Sequence, residues 1–147
     1  DSSAARRQAR LGERQDRVPM DDQELEDSAR EFLRTAPESI ATAWLFGSVA
    51  RRESHAGSDL DLGILMTTDA PDTAFRLEAD LERHLGIPVQ VVVLETAPLD
   101  LVYRVLRDGR VLLDRKPRRR HEFEIRAMSL YYDFRTTMEP ILYPKHS

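Results

Sequence analysis

The 147-residue sequence contains no cysteine, no long apolar run and only six glycines. Without cysteine the chain forms neither disulfides nor thiolate metal sites, so a bound metal ion must use oxygen or imidazole ligands. No segment approaches the roughly eighteen apolar residues of a membrane helix, and the first residues lack the apolar region of a secretion signal. We therefore expect a cytoplasmic protein that makes no membrane contact.

An excess of basic residues is also absent, because the formal net charge is -4. Nucleic-acid backbones are bound by clustered lysine and arginine, so this balance argues against a protein whose whole surface binds nucleic acid. One basic segment, "RKPRRR" at residues 115–120, is compatible with a local RNA contact. Such segments are more often solvated or partner-binding faces, which we favour, and an RNA-binding module is kept as an alternative.

The length of the chain fits one domain. Residues 1–19 have almost no large apolar side chains, so we expect a flexible leader, with Met20 as an alternative start. We expect the core in residues 20–116. Residues 117–147 are predicted to form a C-terminal helix and tail that pack on the core or on a partner.

Short apolar runs alternate with helical periods in the core. We expect a first helix between Asp21 and Pro37, and Thr96 as the cap of a later helix that starts at Pro98. This alternation predicts an α+β (mixed α/β) fold, in which helices flank a small mixed sheet of three to four strands. The strand order stays open. Strands are predicted at residues 40–46, 59–66, 88–94 and, at a sheet edge, 110–113; further helices are predicted at residues 48–53, 72–85 and 98–108.

The C-terminal segment carries its own helical stripe. A helix is predicted over residues 118–138, with Pro140 as its end. The apolar residues after it either fold back or meet a partner, and the sequence leaves both open. The stripe contains Phe123, Ala127, Leu130, Phe134 and Met138, and the apolar residues after it are Ile141, Leu142 and Tyr143.

The stretch "LFGSVARRESHAGSDLDLGIL", residues 45–65, carries the strongest chemical pattern. Gly47 follows a predicted strand, where glycine lets backbone amides approach a phosphate, and Ser48 adds a hydroxyl donor. Asp59 and Asp61 project from the same side of the next strand, about 6 to 7 Å apart at the backbone. Two such carboxylates can converge on one cation, and Mg²⁺ prefers oxygen ligands with positions left for water and phosphate. The pattern predicts a site for a magnesium-bound polyphosphate.

These residues resemble the G-S-x10-D-x-D motif of minimal nucleotidyltransferases, small relatives of the DNA polymerase β superfamily. The resemblance covers roughly residues 22–116 and includes the "GSxARGE" run and the closing helix and strand, here "APLDLVYRVLRDGRVLLDR". It implies that Asp59 and Asp61 are the catalytic and metal-binding residues. It also implies that Gly47, Ser48 and Arg51 bind the nucleotide.

Two positions depart from the family pattern. Arg52 stands where the family usually has glycine, and it either stiffens the turn or contacts a phosphate. Gln90, in "PVQVV", stands where the family usually has a third carboxylate that completes the metal site and helps to deprotonate the attacking hydroxyl. Glutamine cannot accept that proton, and strand alternation puts Glu95 on the opposite face. General-base catalysis is typically worth about 10² to 10⁴ in rate, so we expect either a slow enzyme or a functionally silent one.

The resemblance also implies a function. Minimal nucleotidyltransferases often act as antitoxins that transfer AMP from ATP to a tyrosine of a helical HEPN toxin. We therefore expect a nucleotidyltransferase that uses Mg²⁺ and ATP and forms a hetero-oligomer with a HEPN toxin. The alternative is an antitoxin of the same fold that is catalytically weakened or inactive and neutralises its partner by binding alone.

Overall fold

The computed structural model describes residues 20–144, so the predicted leader lies outside the described residues. The predicted order of helices and strands is confirmed, with small shifts at the ends of elements. A 3₁₀ turn (Leu94–Thr96) and a π-turn (Phe134–Met138) interrupt the regular elements. The helices and strands are α1 (Asp22–Leu33), β1 (Ile40–Phe46), α2 (Gly47–Ala50), β2 (Leu60–Met66), α3 (Thr73–Leu85), β3 (Val89–Val93), α4 (Leu99–Asp108), β4 (Arg110–Asp114), α5 (Pro117–Asp133) and α6 (Glu139–Leu142).

The four strands form one mixed sheet in the order β3-β2-β1-β4. β1 pairs antiparallel with both β2 and β4, and β2 pairs parallel with β3. The predicted edge strand is therefore confirmed as β4. This arrangement places the end of β1 beside the beginnings of β2 and β3. The two halves of the sequence motif therefore meet at one end of these strands.

Helices cover both faces of the sheet, as the α+β prediction required. Alternate residues of β2 point to opposite faces, and the apolar side chains follow that alternation. One face packs against α1 and α3, and the other packs against α4 and α5. The first face buries Leu60, Leu62 and Ile64 of β2 with Leu25, Leu33, Leu77 and Leu81; the second buries Trp44, Leu65, Leu94, Val102, Val105 and Ala127.

The ends of two helices differ in how well the sequence anticipated them. Asp21 caps α1 as expected, and its carboxylate accepts a hydrogen bond from the Glu24 amide at 2.8 Å. The expected Thr96 cap is wrong. The Thr96 hydroxyl instead donates to the Val93 carbonyl at 3.4 Å, and α4 begins at Leu99 after Pro98 with no side-chain cap. Thr96 is the last residue of the 3₁₀ turn (Leu94–Thr96), so it lies outside α4.

The C-terminal helix does not end at Pro140, contrary to the prediction. Pro140 lies in the first turn of α6, where its missing N–H group has no intrahelical acceptor to lose. The apolar stripe of the C-terminal segment packs against the core at Phe123 and Ala127. Farther along, Met138 is 44% exposed and Ile141 is 70% exposed. Within residues 20–144, no helix is long and apolar enough to span a membrane.

Candidate functional site

Gly47 and Asp61 lie side by side where β1 ends and β2 begins. The Gly47 backbone has a φ of +79°, a conformation that glycine adopts without strain. A Cβ atom at this position would overlap Oδ2 of Asp61 and lie 3.2 Å from its Cγ. The missing side chain therefore leaves the space that the carboxylate occupies. The glycine turn and the second aspartate of the motif are therefore in contact.

Strand pairing fixes the neighbours of Asp61 on both sides. Asp61 is opposite Phe46, the last residue of β1, and opposite Gln90 of β3. Gln90 consequently occupies the position next to Asp61 at which a third carboxylate would complete the group. Its side chain is exposed, which leaves it accessible from solvent.

The charge of Asp61 is strongly influenced by its surroundings. Burial, and to a lesser extent the nearby charge of Asp59, raise its pKa from the ordinary 3.8 to about 6, against the opposing charge of Arg51. The two aspartates are thus close enough to repel each other, and Arg51 is close enough to attract Asp61. A divalent cation between the carboxylates would relieve that repulsion.

The carbonyl groups of α2 all have hydrogen-bond partners. Gly47 and Ser48 carbonyls accept bonds from the Arg51 and Glu53 amides at 3.1 and 2.9 Å. The α2 helix is only one turn long, shorter than the predicted helix at residues 48–53, so a helix dipole contributes little. The N–H groups of Gly47, Ser48 and Val49 lie in the first turn and have no intrahelical acceptor, so they are the donors available to a phosphate.

Arg52 is the one described non-glycine residue with a positive φ, at +60°. That conformation explains why glycine is the usual residue in the resembled family. The side chain turns away from the pocket and binds α1: it donates to the Gln23 side chain at 2.6 Å and to the Asp22 carbonyl at 3.3 Å. Of the two expectations for Arg52, these contacts favour a stiffened turn over a phosphate contact.

Glu26 is a buried carboxylate near α2 that no sequence pattern indicated. It is 4% exposed, yet its carboxylate contacts the guanidinium groups of Arg30, Arg52 and Arg110. Burial opposes its ionisation, but these arginines outweigh burial and hold the pKa of Glu26 below its ordinary value. Arg110 lies 84 positions along the chain from Glu26, so no local pattern could have paired them.

The donors present fit Mg²⁺ with two protein carboxylates. Magnesium usually keeps several waters and is held by one or two carboxylates together with substrate phosphates. Asp59 and Asp61 supply that number, and the gap left by Gly47 keeps the Asp61 carboxylate against the turn. Among the described residues, no group of three His, Asp or Glu side chains is arranged to hold a metal ion.

Glu95 does not replace the missing carboxylate. One of its oxygens accepts a hydrogen bond from the Met66 amide at 2.8 Å and contacts Arg119 at 3.1 Å. Met66 is the last residue of β2, whereas Asp61 lies near its beginning, so Glu95 is at the opposite end of the strand. The sequence predicted that strand alternation separates Glu95 from Asp61, whereas in the structure the length of β2 separates them.

The basic segment at residues 115–120 is largely occupied by contacts within the molecule. Arg115 donates to four backbone carbonyls, including that of Pro37 at 2.6 Å and that of Ala36 at 2.7 Å. Arg120 contacts Asp114 at 2.9 Å and Glu124 at 2.6 Å. These arginines attach the start of α5 to the body of the protein.

Comparisons with known proteins found a matching family model and solved structures of similar fold. The family model described as polymerase beta, nucleotidyltransferase matches residues 28–118, which is more than half of the chain. No curated protein matches the sequence.

Solved structures share the fold. A chain in the crystal structure of a toxin–antitoxin with AMP-PNP is 24% identical with a TM-score of 0.67, and the match covers 80% of this chain and 94% of that one. A chain in the complex of tri-AMPylated Shewanella oneidensis HEPN toxin with MNT antitoxin is 22% identical with a TM-score of 0.63, covering 82% and 95%. A protein described as a minimal nucleotidyltransferase is 28% identical with a TM-score of 0.53, covering 62% and 95%.

Proposed function

Because the chain belongs to the polymerase β nucleotidyltransferase family, we propose that it is an antitoxin that transfers AMP from Mg-ATP to a tyrosine hydroxyl of a HEPN toxin. The observation that carries this proposal is the contact between the Gly47 turn and the Asp61 carboxylate. This contact brings together the two halves of the motif, to which the proposal assigns phosphate binding and metal binding. The nucleotide in one structural neighbour and the modified toxin in another support the same chemistry.

Each site residue has a separate role in this proposal. Gly47 and Ser48 hold the ATP phosphates through backbone amides and a hydroxyl, and Arg51 balances the negative charge of the pocket. Asp59 and Asp61 hold the magnesium ion. When bound, Mg²⁺ supplies electrostatic stabilisation of the charge on the phosphates.

The reaction forms one bond and breaks one bond at the α-phosphorus. The tyrosine oxygen attacks the α-phosphorus, and the bond from that atom to the oxygen bridging the β-phosphorus breaks. Pyrophosphate leaves with the electron pair, and the hydroxyl proton passes to solvent because Gln90 cannot accept it. Positioning and electrostatics carry most of the catalysis in phosphoryl-type transfer, so we expect slow but measurable turnover.

The partner supplies the acceptor and covers the C-terminal extension, residues 134–143. Apolar side chains of this extension are exposed, including Ile141 at 70% and Tyr143 at 70%. Exposed apolar clusters of this kind commonly mark protein interaction sites. Of the two predicted placements of the tail, on the core or on a partner, we assign the partner.

The proposal is tested by the intact mass of the toxin after incubation with this protein and Mg-ATP. We expect the toxin to gain the mass of one or more AMP groups, and Asp59→Asn to abolish that gain. Asp69→Asn, which changes an exposed acid outside the site, is the matched control and should leave the gain intact. An unmodified toxin in the wild-type reaction contradicts the proposed transfer.

The second candidate is an antitoxin that acts by binding only, and Gln90 beside Asp61 is the observation that favours it. The double variant Asp59→Asn/Asp61→Asn separates the two candidates. If it still forms the complex and protects cells, binding suffices. Gln90→Asp provides a complementary test, because it should raise the transfer rate by about 10² or more if only the third carboxylate is missing. Gln90→Asn, with the same length and no charge, should not.

A further inference from the structure

Two arginine side chains hold the carbonyl end of α2. Arg110 donates from Nη2 to the Ala50 carbonyl at 2.7 Å. Arg52 donates from Nη1 to the Val49 carbonyl at 3.3 Å. The Val49 carbonyl also accepts a hydrogen bond from the Arg52 amide at 3.1 Å, whereas the Ala50 carbonyl is held by the Arg110 side chain. Both of the last carbonyl groups of the turn that presents Gly47 and Ser48 therefore contact an arginine side chain.

Both arginines are in turn held by one buried carboxylate. Arg110 contacts Oε1 of Glu26 at 2.6 Å, and Arg52 contacts the same oxygen at 3.2 Å. Glu26 lies on α1, and Arg110 lies at the start of the edge strand β4. The turn is thus connected through charge-assisted hydrogen bonds to two elements that are remote from it in sequence. Such bonds are shorter and stronger than those between neutral groups.

We infer that Glu26 is a positioning residue for the nucleotide site, and that it acts through Arg52 and Arg110 on the turn that carries Gly47 and Ser48. This inference rests on the proposed function for its consequence on nucleotide binding. The position of the turn matters because a Gly47 displaced toward Asp61 would close the space that the carboxylate needs. Displacements of about 1 Å in a site of this kind can cost up to 10²-fold in activity.

Arg30 provides a matched control. It contacts the other oxygen of Glu26, Oε2, at 3.1 Å and lies on the same helix. The ion pairs and hydrogen bonds found for Arg30 are with Glu26 and Asp27, so none of them reaches α2. Arg30→Gln therefore removes an ion pair with Glu26 and leaves both connections to the turn in place.

The test compares Glu26→Gln, Arg52→Gln and Arg30→Gln in the full chain, well below the melting temperature of each variant. Amide hydrogen exchange of residues 47–53 reports the order of the turn without nucleotide. Titration with Mg-ATP reports its Kd. We expect faster exchange at residues 47–53 and a Kd raised about tenfold in Glu26→Gln and Arg52→Gln, with Arg30→Gln within about twofold of the wild type.

The possible outcomes distinguish failure of the inference from failure of the proposed function. Exchange at residues 47–53 that is unchanged in Glu26→Gln, or equally fast in Arg30→Gln, overturns the inference. Faster exchange with an unchanged Kd also overturns it, because the turn would then be ordered by Glu26 without effect on the site. If the wild type binds no Mg-ATP at all, the proposed function fails, while the exchange pattern still decides whether Glu26 orders the turn. Because Arg52 is partly exposed, we expect Arg52→Gln to fold even if Glu26→Gln does not. In that case, unchanged exchange at residues 47–53 in Arg52→Gln overturns the inference.

Discussion

At the scale of single residues, Gly47 is subject to a backbone constraint and a steric constraint that two variants can separate. Gly47→Ala places a Cβ where the Asp61 carboxylate lies, at a φ of +79°. Gly57 has a φ of +91°, but a Cβ there would meet nothing within 4 Å. Both substitutions incur the cost of a left-handed alanine, roughly 1 to 2 kcal/mol.

We expect Gly47→Ala to lose more stability than Gly57→Ala and, unlike it, to lose Mg-ATP binding. Urea denaturation measures the first difference, and titration with Mg-ATP measures the second. Equal loss of stability in the two variants, with nucleotide binding retained in both, would show that the Asp61 carboxylate is not held against the turn.

Asp61 gives a prediction about pH. Its pKa is about 6 in the folded protein against an ordinary 3.8, so the native state keeps a proton that the unfolded chain releases between these values. Stability without ligand therefore falls as pH rises through this window. Asp61→Asn removes that fall, and at pH 7.5 it should be more stable than the wild type by about 1 to 3 kcal/mol.

Thermal unfolding of both proteins at pH 3.5 and pH 7.5, without magnesium, checks this expectation. The stability gained by Asp61→Asn should be present at pH 7.5 and nearly absent at pH 3.5, where Asp61 is protonated in the folded state and mostly protonated in the unfolded state. Asp69→Asn changes an exposed acid and should follow the wild-type curve. A gain of equal size at both pH values would mean that charge burial is not its cause.

The site residues that the sequence predicted are joined by a local pattern. Gly47, Ser48, Asp59 and Asp61 were predicted because the turn and the strand alternation that join them lie within fifteen positions of one another. Glu26 was not identified, because a buried glutamate on an amphipathic helix carries no local signal of the arginines that reach it. The same limit left Arg52 with two interpretations until its partners on α1 were located.

At the scale of elements, the C-terminal helix divides into a part that stabilises the fold and a part that does not. Phe123 packs with the cluster around Trp44, whereas Phe134 is 38% exposed and Ile141 is 70% exposed. Deletion of residues 134–147 should therefore change the free energy of unfolding by no more than about 0.5 kcal/mol, the usual range for surface changes. Phe123→Ala should cost about 2 kcal/mol or more, because it removes packed apolar surface.

Chemical denaturation of the two variants tests this division. If the truncated protein is destabilised as much as Phe123→Ala, the extension contributes to the core after all. The truncated protein should also keep its affinity for Mg-ATP and lose its toxin partner. That combination would place the partner surface on the extension, separately from the nucleotide site.

The element ends show why local patterns mispredicted two helices. Proline usually ends a helix because it cannot donate to a preceding carbonyl, and Pro140 was expected to do so. The π-turn separates Pro140 from α5, so Pro140 lies in the first turn of α6. An N–H group in a first turn has no intrahelical acceptor, so proline is tolerated there. Thr96 was wrongly predicted as a helix cap because it belongs to a 3₁₀ turn that directly follows β3.

At the scale of the whole molecule, the strand order decides what the site contains. Each strand was predictable from its own apolar run, but the order β3-β2-β1-β4 depends on contacts between distant segments. The parallel pairing of β2 with β3 is what sets Gln90 beside Asp61. The sequence suggested that Gln90 replaces an acid, and the pairing sets this glutamine opposite Asp61.

The charge distribution of the whole molecule leads to a last prediction, on RNA. With a net charge of -4, and with Arg115 and Arg120 bound to internal partners, the "RKPRRR" segment offers few cations to a phosphate backbone. We expect no RNA binding near physiological salt in fluorescence anisotropy with a labelled single-stranded RNA. The informative control is Asp114→Asn/Glu124→Gln, which releases Arg120 and removes two negative charges. If the wild type binds RNA with an affinity that falls steeply with salt, phosphate contacts are being made, and the RNA-binding alternative must be restored.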